Sequence, residues 1–405
     1  MSERSESGGL RGVVPPRGDE SERSERGGLR GVVPPRGDES GATVRTALVG
    51  CGWAGRSIWL PRLAGHPAYE VVAAVDPDPA ARDAIGGQGV PRVLADLDEL
   101  ERGEVDLAVV AAPNHLHAPV AARLLERGVP VFVEKPVCLN VTEAERLSAA
   151  ESAGGAILLA GSAAPYRADV RALYALAAEL GPIRHVDVAW VRARGVPGAG
   201  GWFTDRSRSG GGALVDLGWH LLDTVGPMLG TAVFEQVAGA VSADFVNAGY
   251  LRAQWRGDAD AEAPGTGDVE DTARGFLVTE DGVSVSLRAS WASHQARDVT
   301  RFTVESVSGT AELTCTFGFS SNRQAESVLT RTRHGTTVPV PLPVEPVGAE
   351  YSRQLDELPA LLADPAGRGA AIGGARRTIA VIERLYGSAR AARRAALVPE
   401  VQGAG

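Results

Sequence analysis

The chain has almost no lysine. Only Lys135 stands among its 41 basic residues, and all the others are arginine. Arginine stays charged, whereas the ammonium group of lysine is compact and its pKa shifts readily, which suits proton-transfer chemistry. The retention of one lysine at the end of an apolar run therefore indicates chemistry at that position. A lysine left there by chance is the alternative.

Cysteines and long apolar runs are also scarce. The three cysteines are too few and too scattered for a disulfide framework or a zinc site, so we expect no metal. No apolar stretch reaches the roughly 18 residues of a membrane helix, and the polar N-terminus lacks the core of a signal peptide. We therefore expect a cytoplasmic protein without a membrane partner. The net charge of −9 argues against nucleic acid, whose phosphates need a basic face.

The N-terminal segment contains a direct repeat. Residues 2–20 recur as residues 21–39 with a single change, from Ser7 to Arg26. Both copies are rich in glycine, proline, serine and charge, and neither shows a helical or strand period, so neither can bury a core. We predict that residues 1–41 form a disordered, duplicated tail. A peptide-docking segment is the alternative.

A dinucleotide-binding fold is predicted for residues 42–163. Short apolar strands alternate with helical segments there, which indicates parallel β–α–β units and a doubly wound sheet. The predicted strands are residues 44–49, 71–75, 105–112, 129–133 and 156–160. The predicted helices are residues 56–63, 118–127 and 142–152.

Glycines follow the first predicted strand in Gly50-Cys51-Gly52-Trp53-Ala54-Gly55. Gly50 permits the tight turn, Gly52 lets the backbone approach a pyrophosphate, and Gly55 lets helix and strand pack closely. The helix N-terminus then offers its N–H groups to the phosphates. Asp76, at the end of the second strand, is spaced to bind the adenosine ribose hydroxyls. Its carboxylate repels a 2′-phosphate, so NAD is favoured over NADP, although Arg82 could reach round to such a phosphate.

The second half is predicted to be rich in strands. Residues 183–193 are followed by strands at residues 233–242, 272–279, 283–290, 300–307 and 310–316. Several alternate apolar and polar residues, which indicates a sheet with one face covered. The acid-rich residues 256–271 are interpreted as a solvated loop. Helices are expected at residues 350–363 and 375–396.

A candidate catalytic pair lies in residues 213–229, an apolar, helix-compatible run. Asp216 and His220 are four residues apart, so a helix places both side chains on one face. A histidine steered by a carboxylate is a workable proton acceptor. A surface ion pair without a catalytic role is the alternative. The presence of Lys135 and of the nucleotide turn favours catalysis.

Together these motifs resemble the Gfo/Idh/MocA oxidoreductases, the family of glucose–fructose oxidoreductase and inositol dehydrogenase. The resemblance rests on the GCGWAG turn, Ala112-Pro113-Asn114-His115-Leu116-His117, Glu134-Lys135-Pro136, Trp202-Phe203, and SGGGALVDLGWH at residues 209–220. It implies a Rossmann domain followed, over residues 164–400, by an α/β domain with a large, mostly antiparallel, open-faced sheet. Members of the family commonly form homodimers or homotetramers through that sheet.

The resemblance also implies residue roles. His220 is expected to be the general base for a substrate hydroxyl, Asp216 to orient it, and Lys135 to hydrogen-bond the reacting oxygen. The implied cofactor contacts are Gly50, Gly52, Trp53, Ala54, Gly55, Asp76, Pro113, Asn114, His117, Glu134 and Lys135. The expected substrate contacts are Lys135, Tyr166, Trp202, Asp216 and His220.

Two of these substrate residues are less directly supported. Trp202 could equally be a core residue. Many relatives carry an Asn-x-Arg-Phe-like segment where this chain reads Ser162-Ala163-Ala164-Pro165-Tyr166-Arg167. Tyr166 or Arg167 is therefore expected to replace the substrate contact of that arginine.

We therefore predict an NAD(H)-dependent enzyme that transfers hydride between nicotinamide and a ring hydroxyl or ketone. The resemblance implies a sugar or cyclitol substrate, and because acid-rich loops would attract a cationic ring, an amino sugar such as an aminoglycoside is also expected. Two alternatives are a non-catalytic regulatory protein that binds dinucleotide or sugar, and a redox-assisted glycosidase of the same fold. The complete set of Lys135, Asp216 and His220 favours an enzyme over a sensor.

Overall fold

The computed structural model describes residues 43–198, 200–230, 233–253 and 266–397. The predicted disordered tail lies outside these residues, as does most of the acid-rich segment predicted at residues 256–271. Within the described ranges, no helix is both long enough and apolar enough to cross a lipid bilayer.

The first half forms a parallel sheet. Its strands are β1 (Val44–Val49), β2 (Tyr69–Val75), β3 (Arg92–Leu94), β4 (Leu107–Val110), β5 (Val131–Glu134) and β6 (Leu158–Gly161). The connecting helices are α1 (Leu60–Ala64), α2 (Pro79–Ile85), α3 (Asn114–Glu126) and α4 (Val141–Gly154). The strand order β3-β2-β1-β4-β5-β6 confirms the doubly wound parallel sheet. The sequence pattern misses β3, because three residues are too few to show a period.

The burial of the central strands explains why the sequence shows them as apolar runs. Every side chain of β4 and β5 is buried, because helices cover both faces of a parallel sheet, so both strands read as continuous apolar runs. The strand order reverses between β1 and β4. In doubly wound sheets, ligands bind at such a switch point, beyond the carboxyl ends of the strands.

The second half forms a larger, mixed sheet. Its strands are β7 (Ile183–Val191), β8 (Phe234–Ser242), β9 (Thr272–Thr279), β10 (Ser284–Ser290), β11 (Val299–Ser306), β12 (Gly309–Cys315), β13 (Val328–Arg333) and β14 (Thr336–Val340). Its order is β14-β13-β12-β11-β7-β10-β9-β8, and every neighbouring pair is antiparallel except β7 and β10. The mostly antiparallel sheet is confirmed. The β13–β14 hairpin is not predicted by the sequence, because its strands are polar and show little apolar alternation.

The helices of the second half are α5 (Ala168–Glu179), α6 (Arg206–Ser209), α7 (Trp219–Leu229), α8 (Ala349–Ala363) and α9 (Ala370–Leu397). Three of them cover one face of the larger sheet, whereas α8 packs on the first half, where the Leu355 oxygen accepts a hydrogen bond from the Tyr69 hydroxyl. Helix α9 packs on β8, α5 on β12 and α7 on β7. Along β11, buried Phe302 and Val304 alternate with exposed Arg301 and Glu305. This alternation indicates that one face of the larger sheet is covered and the other is open.

Two of the predicted helices begin differently from expectation. Residues Gly55–Trp59 and Leu214–Gly218 form π-helical turns, each of which runs directly into an α-helix. The single α-helix predicted at residues 213–229 is therefore wrong over its first turn. Asp216 lies in the π-helical turn, whereas His220 lies in α7. Inserted π-turns are frequent at functional sites.

The interpretation of residues 256–271 as a solvated loop is wrong at its C-terminal end. Glu270 and Asp271 are only 2% and 0% exposed. The Asp271 carboxylate accepts hydrogen bonds from the backbone N–H groups of Phe245 and Val246. Composition predicts solvated acids here because it does not show which carboxylates find backbone donors.

Candidate active site

A cleft of about 1100 Å³ joins the two sheets. On one side it is lined by residues that follow β1, β2, β4 and β5, and on the other by residues that follow β7 and by α7. All the expected cofactor residues line it except Gly55, and all the expected substrate residues line it except Tyr166. The fold therefore brings nearly all of the candidate residues to one place.

The glycine turn forms one end of the cleft. A Cβ atom on Gly50, whose φ is +97°, would lie 2.6 Å from the Ala112 nitrogen. A Cβ on Gly55 would lie 2.1 Å from the Gly50 oxygen, which explains why Gly55 faces the turn and not the cleft. A Cβ on Gly52 would meet no atom within 4 Å. The turn is thus tight at its two ends and open at Gly52, as a backbone that approaches a pyrophosphate requires.

Asp76 is fixed beside this turn. Its Oδ2 accepts a hydrogen bond from the Cys51 N–H at 2.8 Å, and its Oδ1 accepts one from the Asp78 N–H at 2.9 Å. The Nη1 of Arg82 donates to the backbone oxygens of Asp76 and Pro77. The carboxylate is therefore held at the end of β2, where the ribose of a dinucleotide would lie.

The segment after β4 is tied to both halves of the protein. Asn114 donates a hydrogen bond from Nδ2 to the Ser209 oxygen at 2.9 Å. The two ring nitrogens of His117 lie 2.7 Å from the oxygens of Ala112 and Pro136. Burial lowers the pKa of His117, so a neutral ring can donate to only one of these oxygens. His117 therefore links the segment after β4 to the segment that carries Lys135.

The Glu134 carboxylate fixes the backbone of Lys135 through hydrogen bonds. Its Oε1 accepts a hydrogen bond from Trp59 Nε1, and its Oε2 accepts one from the Lys135 N–H, both at 2.9 Å. Burial raises the pKa of Glu134, although the charge of Lys135 opposes the shift. The carboxylate thus fixes the backbone at the position where the lysine side chain begins.

The lysine side chain meets Asp216 across the cleft. Lys135 Nζ lies 2.6 Å from Asp216 Oδ1, and Trp291 Nε1 donates to Asp216 Oδ2 at 2.9 Å. Arg192 Nη1 lies 3.9 Å from the same Oδ2. Burial alone would raise the pKa of Asp216, but the charges of Lys135 and Arg192 outweigh it and hold that pKa well below its usual range. Asp216 is therefore an anion bound to a cation on each side.

His220 completes the group. Its ring centroid lies 5.4 Å from that of Trp190. Burial, followed by the positive charge of Lys135, lowers the pKa of His220 to about 3, although Asp216 opposes the shift. Asp216 therefore acts on His220 through its charge, while its two oxygens bind Lys135 and Trp291. The histidine is neutral near neutral pH and can accept a proton.

The turn that carries Asp216 is anchored by Glu270. Glu270 Oε1 accepts hydrogen bonds from the Gly212 N–H at 2.9 Å, the Leu214 N–H at 3.0 Å and the Tyr386 hydroxyl at 2.7 Å. Its Oε2 lies 3.0 Å from Arg206 Nη2. A Cβ on Gly212 would lie 1.8 Å from the backbone oxygen of Glu270, so only glycine fits at this position. Helix α9, through Tyr386, therefore helps to position the turn.

The structure separates the two expected substrate residues Trp202 and Tyr166. Trp202 lines the cleft, with its ring 4.8 Å from that of Phe203. Tyr166 lies elsewhere: its ring is covered by the guanidinium of Arg171, and its backbone oxygen accepts from Arg353. Arg167 pairs with Asp169 and is not among the cleft residues. Neither residue is placed to replace the missing arginine.

Sequence reasoning missed Arg192 and Trp291. Each follows directly after a strand, β7 or β10, and reaches Asp216 from there. Their position at a strand end is the signal that could have drawn attention to them. In the part of the chain that the structure describes, no group of three or more His, Cys, Asp or Glu side chains is placed to hold a metal ion.

Two family models match the chain. Residues 44–162 match the oxidoreductase family with an NAD-binding Rossmann fold, and residues 170–316 match the GFO/IDH/MocA C-terminal domain. A relative in Amycolatopsis mediterranei, named as the oxidoreductase subunit of a UDP-kanosamine synthase, is 59% identical over 364 residues. The match covers 89% of this chain and 100% of the relative.

Solved structures share the fold. GenD2 from gentamicin A biosynthesis, in complex with NAD, has a TM-score of 0.68 and 25% identity, covering 90% of this chain and 98% of its own. The 3-ketoreductase KijD10 from Actinomadura kijaniata, in complex with NADP and TDP-benzene, has a TM-score of 0.69 and 19% identity, covering 86% and 98%. One of these proteins holds NAD and the other NADP, so the fold alone does not set the cofactor.

Proposed function

The chain belongs to the Gfo/Idh/MocA oxidoreductase family, and on that premise we propose that it oxidises a ring hydroxyl of a nucleotide-activated hexose to the ketone. The observation that carries this proposal is the 2.6 Å ion pair between Lys135 and Asp216, in the same cleft as His220 and the glycine turn. A sensor without turnover has no need of this buried arrangement of charges.

The residues of the chain divide the work. A dinucleotide would be held by the turn at Gly52, by Asp76 and by the segment after β4, and when bound it supplies the hydride acceptor. His220 accepts the hydroxyl proton at a ring nitrogen. Lys135 Nζ donates a hydrogen bond to the same oxygen and stabilises the negative charge that develops as the proton leaves. Asp216 keeps Lys135 oriented and stabilises the imidazolium ring that results.

The substrate class is supported by one relative and by two arginines that line the cleft. The A. mediterranei protein is named for the synthesis of a UDP-linked amino sugar. An amine reaches a sugar carbon through a ketone, because Schiff-base chemistry needs a carbonyl. Arg192 and Arg208 line the cleft, and guanidinium groups match phosphate, not ammonium. These arginines favour an anionic nucleotide sugar over the cationic amino sugar expected from composition.

The cofactor is proposed to be NAD. The Asp76 carboxylate lies at the end of β2, where it would repel a 2′-phosphate. Arg82, which could have bound such a phosphate, directs Nη1 to the backbone oxygens of Asp76 and Pro77, at 2.8 and 2.9 Å.

A substrate panel tests the proposed function. UDP-glucose, free glucose, myo-inositol and an aminoglycoside would each be assayed with NAD and with NADP, by the absorbance of the reduced cofactor. We expect turnover of UDP-glucose with NAD at a kcat/KM well above that of the other pairs. Turnover confined to inositol or the aminoglycoside would reject the nucleotide sugar, and the absence of any reduced cofactor would reject the dehydrogenase.

We also propose that the open face of the second sheet pairs with another copy of the chain, in a homodimer or homotetramer. Phe276 on β9 is 49% exposed, as is Val328 on β13, and such apolar exposure on a broad sheet favours association. Light scattering of the purified protein would measure the mass. A monomer at micromolar concentration would contradict the proposal.

A further inference from the structure

A second cavity lies beside the cleft. It has a volume of about 650 Å³ and is formed by the segments that follow β7, β8, β10 and β12. We call it the side pocket and define it by Arg194, Tyr250, His294, Gln295, Ser321 and Asn322. Its volume is within the range of small-molecule sites, which is about 300–1000 Å³.

The side pocket presents hydrogen-bond donors. Its described lining residues include a guanidinium, an imidazole, two amides and several hydroxyls, and none of them is acidic. A buried acid, Asp298, lies beside the lining residue Ala193, whose N–H donates to its Oδ1 at 2.8 Å, whereas its Oδ2 is buried without a hydrogen-bond partner among the described residues. In a chain with a net charge of −9, such a lining is suited to an anion.

An aromatic ring stands at the same place. Tyr250 is 74% exposed, although most large apolar side chains of the described residues are buried. His294 is braced by Phe245, whose ring meets it edge-on at 5.8 Å. Exposed aromatic rings provide platforms on which nucleobases stack. The side pocket thus combines the two features that a nucleoside diphosphate needs, donors for phosphate and a face for the base.

The side pocket lies close to the catalytic group, because neighbouring residues of the same segments line the two cavities, although no described residue lines both. Arg192 lines the cleft and lies 3.9 Å from Asp216, whereas Arg194, two residues further along the chain, lines the side pocket. Two residues of extended chain span at most about 7 Å. Similarly, Leu251 lines the side pocket and Ala253 lines the cleft. A sugar ring at Lys135 can therefore carry a diphosphate that reaches Arg194.

We propose that the side pocket binds the nucleoside diphosphate of the substrate, a site that rests on the proposed function because it assumes a nucleotide-activated sugar. Arg194 binds the phosphate oxygens through its planar fork. His294 and Gln295 add donors beside it, and Tyr250 stacks on the base. The side pocket then selects activated sugars over free ones, and the cleft selects the hydroxyl that is oxidised.

The matched variants Arg194→Gln and Arg184→Gln test the site. Both remove one exposed guanidinium, and Arg184 lies at the opposite end of β7, about 25–30 Å away along the strand. For Arg194→Gln we expect the KM for UDP-glucose to rise about 10- to 100-fold with kcat nearly unchanged, because a charge-assisted bond to phosphate is lost. Arg184→Gln should behave as the wild type.

Calorimetric titration of the NADH complex with UDP separates the side pocket from the proposed reaction. We expect UDP to bind the wild type and the Arg184→Gln variant, and to bind Arg194→Gln at least about tenfold more weakly. Binding of this kind without turnover of UDP-glucose would support the side pocket and reject the proposed substrate. Absence of UDP binding, or equal affinities for all three proteins, would overturn the side pocket even if UDP-glucose is oxidised.

Discussion

The two ends of the cleft are built in different ways. The nucleotide end is one short loop, in which Gly50 and Gly55 leave no room for side chains and Gly52 leaves space for a ligand. The catalytic end brings Lys135, Arg192, Asp216 and Trp291 together from four distant segments. Shape determines the first end, whereas a balance of charges determines the second. Substitutions should therefore act on binding at one end and on turnover at the other.

The largest effect is expected for Lys135→Arg. The larger, planar guanidinium cannot replace the compact ammonium that pairs with Asp216 and donates to the reacting oxygen, so kcat should fall about 10²- to 10³-fold, the usual cost of removing a donor to a developing negative charge. The affinity for NADH, measured by the fluorescence of the bound dinucleotide, should be unchanged. A kcat close to that of the wild type would remove Lys135 from the mechanism.

At the nucleotide end, Gly52→Ala should weaken NADH binding, whereas Gly55→Ala should lower the stability of the protein. The Gly52 variant fits the empty protein, so its Tm should be unchanged, whereas its Kd for NADH should rise about 10- to 100-fold as the methyl group meets the pyrophosphate.

In Gly55→Ala the methyl group would lie 2.1 Å from a backbone oxygen. The Tm should therefore fall by more than about 5 °C. Scanning calorimetry would measure the Tm of both variants, and NADH titration would measure their Kd. Equal Tm losses in the two would show that the open space at Gly52 is not reserved for a ligand.

The two ends also differ in how much of each can be predicted from sequence: Lys135, Asp216 and His220 are predicted at the catalytic end, but the other residues that hold Asp216 are not. The glycine turn and Asp76 could be placed because their spacing is local and each residue has one physical reason to be there. Arg192 and Trp291 were missed because each contacts Asp216 across at least 24 residues of chain, which no local period records.

Other expectations failed for related reasons. Glu270 was counted among solvated acids, although its partners lie 56 to 116 residues away. Tyr166 was expected at the substrate because of its position after β6, but the local 3₁₀ turn directs it to Arg171. Only the fold decides which carboxylate is buried and where a loop side chain points.

A smaller effect should follow from Glu270→Ala. The variant leaves the buried N–H groups of Gly212 and Leu214 without an acceptor, at a cost of about 1–3 kcal/mol each. We expect a lower Tm and a roughly tenfold lower kcat, because the turn that carries Asp216 shifts. Glu270→Gln keeps one acceptor oxygen and should recover much of both. If the alanine variant loses stability while its kcat is unchanged, Glu270 does not position the turn.

The smallest effect is expected for pH: kcat/KM should not change where an ordinary histidine would titrate. A histidine with an ordinary pKa would lose its proton-accepting form below about pH 6.5. The pKa of His220 is lowered to about 3, so the base stays neutral, and kcat/KM should remain level from about pH 8 to pH 5. Initial rates in constant-ionic-strength buffers would show it. A tenfold loss per pH unit below 6.5 would mean that the ring titrates normally.

The position of Lys135 also changes what amine chemistry reports on this protein. Because the chain has no other lysine, an acylating or reductively methylating reagent finds one side-chain amine, together with the terminal one. That amine is 18% exposed and lies inside the cleft. In most enzymes such a reagent modifies many lysines over the whole surface. Here the extent of modification of Lys135, measured by mass spectrometry of one peptide, shows whether the cleft is occupied by a ligand.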